Sequence, residues 1–161
     1  MTKQELLQHV IKALIQSKKS AEQSFAVTKQ AAIEAPGAMQ SHSDTTKSQM
    51  GNFAEKIQES IIEKDHAINT LQTMARSDLS SDLSNIRIGS VAEVLTETNE
   101  RETYFMLPVG GGIKVTDGNR TISVITPRAP LAIALIGKKQ GETIKLQVGS
   151  RQRKLTIISI Q

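Results

Sequence analysis

The chain has 161 residues and a mass of 17.5 kDa, with 20 Lys and Arg against 16 Asp and Glu, a net charge of +4 and a pI near 9.4. The absence of Cys excludes a disulfide framework, thiolate catalysis and cysteine-ligated zinc, and one Tyr, three Phe and no Trp leave too few rings for a base-stacking platform. No apolar run approaches the roughly 20 residues of a membrane span, and the opening MTKQELLQHV lacks a signal-peptide pattern, so a soluble, cytoplasmic protein is expected.

Charge and composition change near Asn85. Residues 1–85 hold nine Lys and Arg against ten acids, and residues 86–161 hold eleven against six. Eight of the ten Gly follow Asn85, together with a surplus of Val, Ile and Thr, which favour strands and tight turns. The stretch SDLSSDLSN at 77–85 reads as a helix end and linker. Two domains are expected: a helical hairpin over 1–80 and an α+β domain over 81–161.

In the first half, Leu7, Leu14, Ala21, Thr28 and Ala35 recur seven apart, with Ile11, Lys18, Phe25 and Ala32 between them. A second comb runs through Met50, Ile57, Lys64 and Leu71, interleaved with Phe53, Ile61, Ile68 and Ala75. Such 3–4 spacing makes the narrow seam of a coiled coil. Pro36 and Gly37 stop the first helix, and Ser43 or Asp44 can cap the second. Two arms of about 34 residues, each about 50 Å long at 1.5 Å per residue, predict an antiparallel hairpin with its tip at 36–47. Lys18, Thr28 and Lys64 interrupt the seam, which can close within one chain or between two.

The second half has a period of two. Strands are expected over 88–96, 102–109, 112–116, 120–126, 142–148 and 152–160, with tight turns at Asp117-Gly118 and Gly149-Ser150. Between the fourth and fifth strands, Pro130 suits a first helical turn and Gly137 its left-handed end. The result is an antiparallel sheet with one short helix. The run Gly110-Gly111-Gly112 opens onto a strand without a following GK[ST], so it reads as a hairpin loop and not a phosphate cradle.

The segments IRIGSVAEVLTE and ISVITPRAPLAIALIGKKQGETIKL resemble the GreA/GreB family of bacterial transcription factors, through Ser123, Pro127, Ala132, Leu135, Ile136, Gly137, Lys138 and Gly141. The resemblance implies an FKBP-like second domain that attaches to RNA polymerase, and a coiled coil that enters the polymerase secondary channel. It also implies a regulator of elongation and not an enzyme in its own right, with no tightly bound cofactor. In cleavage-stimulating members, two tip acids three residues apart help to hold a Mg²⁺ shared with the polymerase active site. Here Asp44 matches the first, but the position three residues on is Lys47, a cation that opposes metal binding; Glu34 is the other nearby carboxylate. Asp44 is thus the candidate metal-assisting acid, with Glu34 behind it, and helix capping is its alternative role. His42, beside Asp44, is a candidate proton shuttle with a solvated loop residue as its alternative role, whereas His9 and His66 lie on separate arms with no carboxylate pairing that marks a metal site. Arg128, Lys138 and Lys139, with Arg151, Arg153 and Lys154, are the candidate polymerase-facing cations or a patch that steers toward acidic surfaces, ordinary solvated charge being their alternative role. The competing readings are an FKBP-like peptide binder, for which Tyr104 and Phe105 are the available aromatics, and an adaptor that dimerises through residues 5–79.

Overall fold

The structure is a computed structural model that describes residues 1–34, 43–77 and 84–161, the side chains of residues 43–47 excepted. Its elements are α1 (Lys3–Glu34), α2 (Ser43–Ala75), β1 (Val91–Thr96), β2 (Arg101–Met106), β3 (Lys114–Asp117), β4 (Arg120–Ile125), α3 (Pro130–Leu135), β5 (Thr143–Val148) and β6 (Arg151–Ile160). A long helical region followed by a six-stranded, mostly antiparallel sheet with one short helix is the α+β architecture expected. Contacts divide the chain into two compact units, residues 12–69 and residues 1–11 with 70–161.

Within residues 12–69, the predicted α1 seam is visible in burial. Leu14 is buried, and Lys18, Ala21, Phe25, Thr28 and Ala32 are half-buried. On α2 the stripe runs Met50, Ala54, Ile57, Ile61, Lys64 and Ile68, alternating steps of four and three. The expected Phe53 is instead 65% exposed. It follows Met50 by three where the repeat requires four, and it therefore lies outside the seam. Lys18 does not waste its seam position. It is half-buried, and its Nζ donates to Asp65 Oδ1 at 2.6 Å on the opposite arm and lies 3.6 Å from Glu22 Oε1. The Asp65 hydrogen bond holds the Lys18 ammonium above its ordinary pKa. Lys64 similarly turns its ammonium to Ser60 Oγ.

In the other unit, α1 opens with a capping box: Glu5 N–H donates to Thr2 Oγ1 at 3.2 Å, and Thr2 N–H donates to Glu5 Oε2 at 2.7 Å. The Thr2 backbone N–H, and after it the Thr2 side chain, hold the Glu5 carboxyl below its ordinary pKa. Leu6, Leu7, Val10, Ile11 and Leu71 are buried here. Leu6 borders a crevice with Val91, Thr103 and Ile122 on one face of the sheet, and Gln4 Nε2 donates to the Ala75 carbonyl. On the other face, α3 contributes Ala132 and Leu135 to a core with Ile86, Ala92, Val94, Met106, Ile144, Leu155 and Ile157.

The strand order is β3-β4-β2-β1-β6-β5. The sheet is mostly antiparallel, as expected, and one neighbouring pair departs from that pattern: β2 and β4 pair in parallel, Tyr104 opposite Ser123. The β3–β4 hairpin docks by its second strand, so the chain crosses to the sheet edge through Gly110 and Gly112, at φ 82 and 87°, before returning beside β2. Gly112 N–H donates to Val124 O at 2.9 Å, which consumes that amide in the sheet. The β3–β4 turn is Gly118-Asn119, one residue later than expected, because Asp117 pairs with Arg120. Gly149-Ser150 joins β5 to β6 as expected.

Candidate functional site

The described surface with the most distinctive character surrounds α3. The chain leaves β4 at Thr126, whose carbonyl accepts from Ala129 N–H at 2.9 Å, so that Arg128 lies in a turn and is exposed. Ala129 is extended at φ −71°, ψ 137°, and Pro130 begins the helix, where its missing N–H costs nothing. After six residues Gly137 adopts φ 79°, and its N–H donates to Ile86 O at 2.8 Å while Lys138 O accepts from Ile86 N–H at 2.8 Å. This two-bond clasp fixes the loop that carries Lys138 and Lys139.

Glu142 anchors the same loop from below. Its Oε2 accepts from Lys139 N–H at 2.6 Å, and its Oε1 lies 3.4 Å from Lys138 Nζ. The Lys139 backbone hydrogen bond, aided by Lys138, lowers the Glu142 pKa. The Arg128 guanidinium and the Lys139 ammonium carry no ion pair among the described residues, whereas Lys138 is half-buried and paired. Arg128 and the Lys138–Lys139 pair thus flank the two ends of α3, a helix about 9 Å long by its rise per residue. Between them lie two exposed apolar residues, Ile133 at 65% and Ile136 at 42% exposure. Ala132 and Leu135 take the buried face three residues apart, which leaves Ile133 and Ile136, also three apart, outward. That signal was present in the sequence and was missed beside the more conspicuous charges.

The tip candidates have a different status. Glu34 ends α1 and accepts from Gln30 Nε2 at 2.5 Å. Asp44 lies in the first turn of α2, but its side chain and residues 35–42, including His42, lie outside the described residues, as do the side chains of Ser43 and Lys47. Among the described residues no cluster of three or more His, Asp or Glu could hold a metal.

The aromatics of the second half do not wall an apolar pocket. Phe105 is wholly buried, and the Tyr104 hydroxyl donates to Glu102 Oε2 at 2.6 Å. Arg153 donates to Glu102 Oε1 at 2.8 Å. The adjoining open cavity of about 580 Å³ is lined by Glu93, Arg101, Glu102, Lys114 and Arg120 among others. This is a charged groove, unsuited to an apolar peptide side chain.

Comparison with known proteins resolves the family. Residues 81–161 match the family described as transcription elongation factor, GreA/GreB, C-terminal. The chain belongs to the GreA/GreB family. It is accordingly a GreA/GreB-like transcription elongation factor, and the matched segment contains all of α3 and the sheet. Among solved structures, it is similar to the GreA factor homolog 1 (Gfh1) of Thermus thermophilus, with 16% identity, 94% of each chain covered and a TM-score of 0.38. For Thermus aquaticus Gfh1 the values are 15% identity, 93% of this chain, 92% of that chain and a TM-score of 0.40. The GreA/GreB factor from Nitrosomonas europaea matches at 18% identity over 61% of this chain and 78% of that one, with a TM-score of 0.39. No curated protein matches the chain. Among the described residues no helix is long and apolar enough to cross a membrane.

Proposed function

We propose that this GreA/GreB-family chain binds RNA polymerase through residues 81–161 and regulates elongation by inserting its helical hairpin into the secondary channel. The observation that carries the reading is the family match over 81–161 on a chain whose preceding helices span 32 and 33 residues. Helices of that length are about 48–50 Å long, the scale on which a channel-entering rod works. The α3 surface supplies the docking chemistry: Ile133 and Ile136 form an apolar centre, with Arg128 and Lys139 as a cationic rim.

At the tip, Asp44 followed by Lys47 makes a poor divalent-cation site, so the hairpin acts by occupying the channel and contributes no second Mg²⁺. No chemical step is assigned to Asp44 or Glu34, and neither the peptide-binder nor the adaptor reading has a specific observation in its favour.

Two assays test this proposal. Core RNA polymerase should bind the wild-type chain, and Ile133→Asp combined with Arg128→Glu should weaken binding at least tenfold, about 1.4 kcal/mol. Unchanged affinity in that variant would remove α3 from the interface. With backtracked polymerase, neither the wild type nor Asp44→Ala should raise transcript cleavage above polymerase alone. Stimulation that disappears in Asp44→Ala would replace occupancy with metal assistance.

A further inference from the structure

The net charge of the molecule has an uneven source. Within the β5–β6 hairpin, residues 143–154 contain Lys145, Arg151, Arg153 and Lys154 and no acid. These four leave sixteen Lys and Arg for the rest of the chain, against its sixteen Asp and Glu. The whole formal charge of +4 is therefore accounted for by twelve residues.

Topology concentrates that charge further. The last residue of β1, Thr96, pairs with Leu155, so β6 has β1 as a neighbour only from Leu155 onward. Residues 145–154 pair solely with each other, Lys145 opposite Lys154 and Val148 opposite Arg151. They form a two-stranded antiparallel ribbon running beyond the rest of the sheet. Lys145 and Lys154 face each other directly, an arrangement of like charges that destabilises a hairpin. Of the four cations, Arg153 alone is ion-paired among the described residues, with Glu102. At the base of the ribbon, Lys154 and Arg153 border the β1–β2 turn that carries Glu97 and Glu100. Lys145, opposite Lys154, is exposed, and so is Arg151 farther out beside the turn.

The cations also occupy both faces. Strand alternation puts Arg151 and Arg153 on one face with Leu155, and Lys154 on the other, together with its partner Lys145. A flat anionic surface would engage one face and leave the other idle. A groove with anionic walls engages both. The major groove of duplex DNA, about 12 Å wide, admits a two-stranded ribbon, and its walls are phosphates. Ser150 and Gln152 add neutral hydrogen-bonding groups of the kind that contact phosphate and sugar, Gln147 Nε2 donates to the Gly149 carbonyl at 2.9 Å within the turn, and the ribbon has no aromatic side chain to stack on bases.

We infer that the β5–β6 ribbon is a sequence-independent binding surface for the backbone of duplex DNA, separate from the α3 surface proposed to dock polymerase. Lys145, Arg151 and Lys154 contact phosphates, while Arg153 stays clasped to Glu102 and stiffens the base of the ribbon.

The test uses the full chain and a fluorescently labelled duplex without polymerase, so its outcome is independent of the polymerase proposal. Three phosphate contacts predict a slope of log K against log salt of about −2.7, or about forty-fold weaker binding at 200 mM than at 50 mM salt. Substituting Lys145→Gln, Arg151→Gln and Lys154→Gln together should abolish measurable binding. A charge-matched control, Lys12→Gln with Lys19→Gln and Lys56→Gln, should retain it. Circular dichroism of both variants establishes that they are folded. The inference is overturned by absence of wild-type binding at 50 mM salt, or by equal loss in the two variants, which would reduce the effect to net charge. It is also overturned if phosphatidylserine vesicles or polyglutamate bind as tightly as the duplex, since neither offers a groove.

Discussion

Glu102 accepts from two donors at once, the Tyr104 hydroxyl and the Arg153 guanidinium, and so joins β2 to β6 across the intervening β1. Burial, and then the hydrogen bond to the Glu102 carboxylate, push the Tyr104 phenol above its ordinary 10.0. The folded state therefore holds this proton more tightly than the unfolded state does. Stability from this source is complete below pH 10 and declines as pH rises beyond it, while the unfolded chain ionises first. As the chain has one Tyr and no Trp, alkaline ultraviolet titration reports this group alone. The tyrosinate signal should rise only well above pH 10 and return to the ordinary value in urea. Tyr104→Phe should cost about 1 kcal/mol in urea unfolding, a modest loss because Glu102 keeps Arg153. Glu142 has the opposite sign. Its pKa is depressed, so its contribution is present above about 4.5 and is lost as pH falls below that value. Glu142→Gln should flatten the acid limb of a stability-against-pH curve and leave the alkaline limb unchanged.

Among the elements, α3 depends on its left-handed end. Gly137 sits at φ 79° with nothing near the position a Cβ would take, so the penalty for Gly137→Ala is one of backbone conformation alone. It should be about 1 kcal/mol by urea unfolding. In the hairpin, Lys18→Leu should raise the melting temperature, because a leucine fills the seam more completely than a lysine whose ammonium must reach out to Asp65. The order and type of these elements were legible in the sequence, because Pro130, Gly137 and Gly149 are local punctuation whose geometry is set by the residue itself. The parallel pairing of β2 with β4 was not legible, since the side of a hairpin that docks is decided by non-local packing. The step from Met50 to Ala54 was obscured by Phe53, an apolar residue one position out of phase. At the candidate site the charges were legible, whereas the outward Ile133 and Ile136 become evident only when Ala132 and Leu135 are seen to take the core side.

For the whole molecule, the two halves divide the work by physical character. Residues 12–69 bury a narrow stripe along two helices, and the sheet unit buries two apolar faces and presents charge at α3 and at the β5–β6 ribbon. On the proposed reading, the hairpin enters the secondary channel of RNA polymerase with the connection between α1 and α2 leading toward the catalytic centre. Because the chain has no cysteine, Ser43→Cys creates a unique attachment point for a short photo-crosslinker there. In complex with core polymerase, this probe should crosslink to the segments around the catalytic Mg²⁺, and a probe at Ser150→Cys on the β5–β6 turn should not. Crosslinks from Ser43→Cys confined to the outer polymerase surface, or no crosslinks under saturating binding, would contradict the account.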